Sequence, residues 1–282
     1  MNAPADTPRI SIVIPSLDGH RNGAVPRLLE SIRRQTFTSH ETLLITGVAP
    51  QGRAINQGAA RARGDILVIL DDDSLLADAD VFARLVAALD ADEQIGLAGA
   101  SIVPHPDASP FQKRAARQFP RFHTPAVREI TDSDLACHGC CAIPRRVFHE
   151  VGGEREDILR GLDPDLRARL RAAGYRVVLA PGATIHHPLP PNWRGLLRVF
   201  FRNGYGSAYA WKFQPDSVVE THESLHDRDF QPRTSLPYRL ARFPLRLLWA
   251  FARFQFIRFG AYCGYAAGYA WGLLTARERP RE

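Results

Sequence analysis

Three consecutive aspartates, Asp71 to Asp73, directly follow the uncharged apolar run of residues 66–70. A short apolar run that ends in polar residues is typical of a strand buried in a parallel sheet. Because an unpaired carboxylate is costly to bury, we expect these side chains at the carboxyl end of that strand, where open α/β sheets bind their ligands. Carboxylate oxygens suit Mg²⁺ or Mn²⁺, ions that commonly bridge protein carboxylates to phosphates. The alternative is a polar loop or a helix start, with Asp73 or Ser74 as the N-cap.

A second group of residues with possible chemistry is the C-x-x-C pair formed by Cys137 and Cys140. Zinc sites usually need two such pairs, or one pair with suitably spaced histidines. The pair lies in the apolar segment 135–143, so we expect it to serve as small core packing. Four cysteines in the chain are too few for a disulfide framework, which fits a reducing compartment.

The elements that must position these residues follow from hydrophobic spacing. Alternating strands and helices predict an α/β fold with a doubly wound, mostly parallel sheet. In the last predicted helix Asp165 and Arg169 are spaced for an i,i+4 ion pair. Five prolines between residues 104 and 135 predict a loop over the sheet. The predicted strands are 10–14, 42–45, 66–70, 95–100 and 135–143, with short extended pieces at 176–180 and 183–186, and the predicted helices are 24–35, 52–63, 79–89 and 163–172.

The composition of the 282 residues is that of an ordinary folded protein, with 45% hydrophobic and 23% charged residues. The net charge of +6 is concentrated at the C-terminal end, where residues 233–282 hold nine arginines and two glutamates. This uneven distribution argues against a general nucleic-acid-binding surface and predicts a local contact with an anionic partner.

Four stretches, in order, resemble the family 2 glycosyltransferases of the A-type fold. They are ISIVIPSLDG, NQGAARARGDILVILDDDS, GCCAIPRRVFHEVGG and GLDPDLRARLRAAGYRVVLAPGATIHH, which together span residues 10–187. The resemblance implies a nucleoside diphosphate sugar donor, a hydroxyl acceptor such as a lipid-linked or cell-envelope glycan, and a Mn²⁺ or Mg²⁺ cofactor. It also implies a catalytic domain over 10–190, preceded by a flexible segment, 1–9.

Individual roles follow from the same resemblance. Asp73 is matched to the metal ligand, with His186 near the metal and His187 as the alternative. Asp163 is matched to the general base that an inverting transfer needs; alternatively it is only the N-cap of its helix. The residues matched to nucleotide binding are Pro15, Ser16, Asp18, Arg53, Asn56, Asp71 and Asp72.

Three positions depart from the family pattern. Leu162 replaces the glutamate before the base, Glu154 replaces the aromatic after Gly152-Gly153, and Thr46 replaces an aspartate that reads the nucleobase. The alternatives are therefore a catalytically decayed nucleotide-sugar-binding or scaffold protein, and a haloacid-type phosphohydrolase. The second alternative expects a hydroxyl side chain at the position of Leu75.

The C-terminal region, 191–282, is predicted to be helical, basic and amphipathic. Residues 259–275 contain no charge but are short for a spanning helix and rich in Gly, Ala and Tyr. Arginines among aromatic residues favour a peripheral contact with an anionic membrane; packing on the sheet or a homodimer are the alternatives. Because residues 1–9 lack an apolar core, we expect the protein in the cytoplasm, on the inner face of the membrane.

Overall fold

The computed structural model describes residues 7–119, 122–217 and 236–278. Residues 1–6 of the predicted flexible segment, and 218–235 and 279–282 of the C-terminal region, lie outside this description.

Strands and helices alternate through the catalytic region, and helices alone follow residue 190. The strands are β1 (Ile10–Ser16), β2 (His40–Thr46), β3 (Ile66–Ile69), β4 (Leu75–Leu76), β5 (Ile95–Val103), β6 (Thr131–Asp132), β7 (Cys141–Pro144) and β8 (Arg176–His186). The helices are α1 (Ala24–Arg33), α2 (Gln51–Arg61), α3 (Val81–Asp90), α4 (Pro110–Gln118), α5 (Arg145–Glu150), α6 (Leu162–Ala172), α7 (Trp193–Phe213), α8 (Leu236–Ala252) and α9 (Phe256–Thr275).

One eight-stranded sheet runs in the order β2-β1-β3-β7-β5-β8-β4, and β6 also pairs with β8. The predicted α/β fold is confirmed, and the sheet is mixed. Strands β1, β2 and β3 are parallel, and so are β5 and β8, whereas β7 is antiparallel to both β3 and β5. The amide of Asp71 donates to the carbonyl of His138, so the chain reaches β7 from the carboxyl end of β3 and must run back.

Two segments differ from the prediction. The strand predicted at 135–143 begins only at Cys141, and residues before it form a turn at the edge of the sheet. The predicted loop between 104 and 135 contains α4, whose start is a capping box between Ser109 and Gln112 with Pro110 in the first turn. Proline at that position favours a helix start, so the count of prolines was misleading.

The two largest apolar clusters of the core lie on opposite faces of the sheet. Every residue of β3 is buried, as the continuous apolar run predicts. Cys140 and Cys141 lie in these clusters and Cys137 packs against one of them, so this pair serves the expected packing role. The cysteines are free.

The C-terminal helices pack on each other through glycines. The Cβ of an added side chain at Gly268 of α9 would overlap the carbonyl oxygen of Phe201 in α7, and one at Gly204 of α7 would overlap that of Tyr265 in α9. α9 also shares an apolar cluster with α4 and α7 through Phe119, Leu196 and Ala261. None of the helices in the described ranges has the length and apolar character needed to cross a membrane.

This close approach predicts a stability effect. Gly268→Ala forces the α7 and α9 backbones apart and should lower the free energy of unfolding by about 1–3 kcal/mol, measured by urea denaturation. Gly264→Ala is the matched control, because an added Cβ there lies 3.3 Å from the flexible Leu197 side chain. Equal stability of the two variants would contradict the proposed packing.

Candidate functional site

The carboxyl end of β3 carries a cluster of possible metal ligands. Asp71, Asp73 and His187 each offer one ligand atom, and these atoms lie within 4.8 Å of one another. His187 Nε2 is 3.2 Å from Asp73 Oδ1 and 3.8 Å from Asp71 Oδ2. Burial lowers the pKa of His187, but the two carboxylates outweigh it and raise the pKa to about 10. The cluster therefore attracts positive charge.

His187 occupies the place expected of His186. His186 is the last residue of β8 and pairs with Leu75 and Val103, and its ring packs edge-on against His105 at a centroid distance of 5.0 Å. His187 follows directly after the end of β8, and its ring lies beside the two aspartates instead. Of the two histidines named in the sequence analysis, His187, the alternative, is therefore the one that the structure brings beside Asp71 and Asp73.

Asp72 faces away from this cluster, into the protein. Its side chain is buried, hydrogen-bonded to Ser16 and paired with Arg21 at 2.8 Å. Burial raises the pKa of Asp72, and the contacts with Ser16 and Arg21 oppose that rise. Asp72 and Ser16 thus join the end of β3 to β1, and the nucleotide contacts expected of them stay a prediction.

Arg21 also binds Asp73, so one guanidinium bridges two adjacent carboxylates. Asp73 is partly buried, which raises its pKa, but His187 and Arg21 together bring the pKa below the ordinary value. Arg21 and Asn22 both have positive φ angles, of 45° and 52°. This strained backbone holds the arginine against the carboxylates.

Asp163 lies in the first turn of α6, as predicted, but it is not the N-cap. That position belongs to Gly161, which has a φ of 99° and no side chain to cap the helix. Asp163 Oδ1 instead accepts a hydrogen bond of 2.6 Å from the amide of His138. Its side chain is 34% exposed, so the carboxylate remains open to a substrate.

A buried ion pair supports Asp163 from behind. His138 Nδ1 lies 3.4 Å from Asp163 Oδ1, and His138 Nε2 lies 2.9 Å from Glu154 Oε1. Burial lowers the pKa of His138, yet Asp163 and Glu154 raise it to about 10, so the ring is charged at neutral pH. The spacing of residues in the sequence does not predict that His138 and Glu154 form a pair. The one indication was the glutamate at position 154, where the family pattern has an aromatic residue.

The remaining residues matched to the nucleotide side lie on β1, in the turn after it and on α2, and several already bind other residues of the chain. Pro15 is buried within β1, and Asp18 accepts hydrogen bonds from the amides of His20 and Arg21. Arg53 pairs with Glu156 at 3.2 Å. Asn56 bonds the backbone of Glu154 in both directions and the Glu156 side chain, so it holds the 154–156 loop on α2.

A cavity of about 320 Å³ opens on the other side of Asp73. Its walls include Arg27 of α1, Gln112 of α4 and both His186 and His187. The volume lies at the lower end of the range for small-molecule sites, which begins at about 300 Å³.

Comparisons with known proteins agree with this geometry. The family model described as "Glycosyltransferase like family 2" matches residues 42–206. The O-antigen chain rhamnosyltransferase RfbN of Salmonella typhimurium (strain LT2) is 22% identical over 303 residues, covering 94% of this chain and 91% of that protein.

Two solved structures share the fold at low sequence identity. The mannosyltransferase PcManGT from Pyrobaculum calidifontis, in complex with GDP-Man and Mn²⁺, is 18% identical with a TM-score of 0.58, over 96% of this chain and 91% of that one. GalNAc-T7 with UDP, GalNAc and Mn²⁺ is 17% identical with a TM-score of 0.51, over 76% of this chain and 52% of that one. The fold is therefore similar to that of the A-type glycosyltransferases.

The buried pair predicts how stability depends on pH. The folded-state pKa of His138, about 10, lies above the ordinary value of 6.5. Its stabilising contribution is therefore fully present below that ordinary value and is lost as the pH rises through the folded-state value. His138→Gln should flatten the fall in unfolding free energy between about pH 7 and about pH 10, measured by urea denaturation.

The same variant leaves Glu154 without its partner and should cost about 3–5 kcal/mol at neutral pH. The double variant His138→Gln/Glu154→Gln should recover a large part of that loss. His149→Gln, at an exposed position on α5, is the control. A wild-type pH slope in His138→Gln would disprove the charged state of the ring.

Proposed function

The chain belongs to glycosyltransferase family 2, and we propose that it is a metal-dependent, inverting enzyme that moves a sugar from a nucleoside diphosphate sugar to a hydroxyl acceptor. The observation that carries this proposal is the position of His138. Its carbonyl bonds the amide of Asp71 and its own amide bonds Asp163, so one residue links the ligand cluster to the candidate base. The two carboxylate groups needed for donor and acceptor chemistry thus face the same edge of the sheet.

The ligand cluster fits a divalent cation. Asp71, Asp73 and His187 would hold it, which extends the expected role of Asp71 from facing the nucleotide to sharing the ion. Two carboxylates suit both Mn²⁺ and Mg²⁺, and the imidazole nitrogen favours Mn²⁺, because Mg²⁺ prefers oxygen ligands. A bound cation supplies Lewis-acid stabilisation of the charge that develops on a leaving diphosphate. PcManGT and GalNAc-T7 are described with Mn²⁺, which supports the same choice here.

Asp163 is proposed to take the proton from the acceptor hydroxyl. A general base must be ionised, oriented and accessible. The start of α6 and the charged His138 ring both favour the ionised carboxylate, and the hydrogen bond from the His138 amide fixes its orientation. Direct attack by the activated hydroxyl, opposite to the departing diphosphate, gives inversion at the sugar carbon.

The acceptor is proposed to be a lipid-linked or cell-envelope glycan. The similarity to an O-antigen chain rhamnosyltransferase supports this class of acceptor. The exposed residues of α8 and α9 support a location at a membrane. Arginines 242, 246 and 253 alternate there with exposed Leu245, Leu248, Trp249, Phe251, Phe254 and Phe256. Such a surface suits the anionic inner face of a cell membrane.

Two substitutions separate donor binding from transfer. Wild type should melt at a higher temperature when Mn²⁺ and a matching nucleoside diphosphate (from a panel of GDP, UDP and dTDP) are added, through ligand linkage. Asp73→Ala should lose this shift. Asp163→Asn should keep the shift but lower turnover at least about 100-fold, the usual lower bound for general-base catalysis.

Asp65→Asn is the control, because that carboxylate is exposed at the opposite end of β3. The transferase proposal would be rejected if no nucleotide raised the melting temperature of the wild type and Asp73→Ala melted like the wild type under every condition. The scaffold alternative would then remain.

Membrane association is tested separately by sedimentation with vesicles. Wild type should bind vesicles that contain phosphatidylglycerol and bind poorly to pure phosphatidylcholine, and Phe254→Glu should weaken binding because it places a charge in the apolar surface. Leu17→Glu, at an exposed leucine outside that surface, is the control. Equal binding to both vesicles would reject the proposal, and a dimer dissociated by Phe254→Glu would support the homodimer alternative.

A further inference from the structure

Two arginines beside Asp163 lack an assigned role. Arg160 lies in the loop before α6, and its side chain crosses the surface of α7 at Gly206. A Cβ added to Gly206 would lie 2.6 Å from Arg160 Cδ, so the absence of a side chain at 206 makes room for the arginine. Arg202 precedes Gly206 by one helical turn and therefore points from the same face of α7. The electrostatic effects of Arg202 and Asp163 on Arg160 agree with this placement of the two arginines beside the candidate base.

Within the described ranges of the chain these two charges are not neutralised by a carboxylate at contact distance, although Asp163 acts on Arg160 electrostatically. Neither forms a salt bridge or a hydrogen bond there, whereas neighbouring Arg155 is paired with Asp157 at 2.8 Å. Both side chains are exposed at the surface. Partial desolvation of Arg160 and the nearby charge of Arg202 lower the pKa of Arg160 to about 10, and Asp163 opposes that change. Two like charges held together are unfavourable unless an anion binds between them.

We propose that Arg160 and Arg202 form an anion site beside Asp163 that takes a phosphate or diphosphate group of a substrate. The inference rests on the proposed transferase function, because it assigns the anion to one of that enzyme's substrates. Guanidinium groups suit this ligand since their planar N–H donors match phosphate oxygens. Neither arginine belongs to the ligand cluster of Asp71, Asp73 and His187.

Two substrates can supply that anion, namely the acceptor through a lipid-linked diphosphate and the donor through its own diphosphate. The position of Arg160 favours the acceptor. Arg160 precedes Asp163, the candidate base for the acceptor hydroxyl, by three residues, and it rests on α7, one of the C-terminal helices proposed to lie near the membrane. The experiment must distinguish the two sources.

The direct measurement is calorimetric binding of inorganic pyrophosphate to the full chain in EDTA, which removes any contribution from a metal. Arg160→Gln and Arg202→Gln should each weaken binding about tenfold or more, as expected for the loss of a charged hydrogen bond. Gly206→Ala keeps every charge but displaces the Arg160 side chain, and it should weaken binding as well. Arg61→Gln, an exposed arginine at the end of α2, is the charge-matched control.

Farnesyl diphosphate and the nucleoside diphosphate that binds with Mn²⁺ identify the source. If Arg160→Gln weakens farnesyl diphosphate binding and leaves the nucleotide unaffected, the anion belongs to the acceptor. If the nucleotide is weakened by the same factor, it belongs to the donor. Either result supports a phosphate site.

Circular dichroism first establishes that the variants are folded. Three results with folded variants would then overturn the inference. They are no pyrophosphate binding by wild type, equal affinities in wild type and both arginine variants, or an equal loss in Arg61→Gln. A nucleotide-induced thermal shift that persists in such a case leaves the transferase proposal intact. Conversely, arginine-dependent pyrophosphate binding without any nucleotide shift would reject the transferase proposal, and with it the assignment of the anion to a transferase substrate, while the anion site itself would stand.

Discussion

Three adjacent carboxylates follow a fully buried strand, and each needs either a positively charged partner or contact with water. Much of the site provides those partners. The chain separates them. Asp72 turns inward to Ser16 and Arg21, while Asp71 and Asp73 turn toward His187. Arg21 binds two of the three and is held by a strained loop. These contacts connect side chains at the ends of β1, β3 and β8 along one edge of the sheet.

The second carboxylate group is organised by a different balance. Glu154 is fully buried, and a buried carboxylate requires a charged partner close by. His138 provides that charge and presents its other side to Asp163. A departure from the family pattern at residue 154 is thus compensated by a histidine that lies sixteen residues earlier in the chain. The exposed carboxylate of Asp163 is thus oriented by the buried pair of His138 and Glu154.

Local patterns in the sequence were enough to predict β1, β3, α6 and the α/β fold, because apolar spacing reports which face of an element is buried. They could not predict the direction of β7, which depends on where a long excursion returns to the sheet. The choice between His186 and His187 was open for a related reason: it depends on how the end of β8 pairs with Leu75 and Val103 of distant strands. The pairs His138–Glu154 and Arg21–Asp72 join distant segments, so no spacing rule announces them.

The contact of α7 with α9 through glycine backbones has a mechanical consequence. Backbones that touch without intervening side chains leave little freedom for sliding, so α9 and the helix that carries Arg202 move together. If the exposed residues between α8 and α9 rest on a bilayer, as proposed above, Asp163 is then held at a constant height above the lipid headgroups. The enzyme would then select a hydroxyl on a lipid-anchored chain by its distance from the anchor as well as by its chemistry. In that case the C-terminal helices would set the length of acceptor that reaches Asp163.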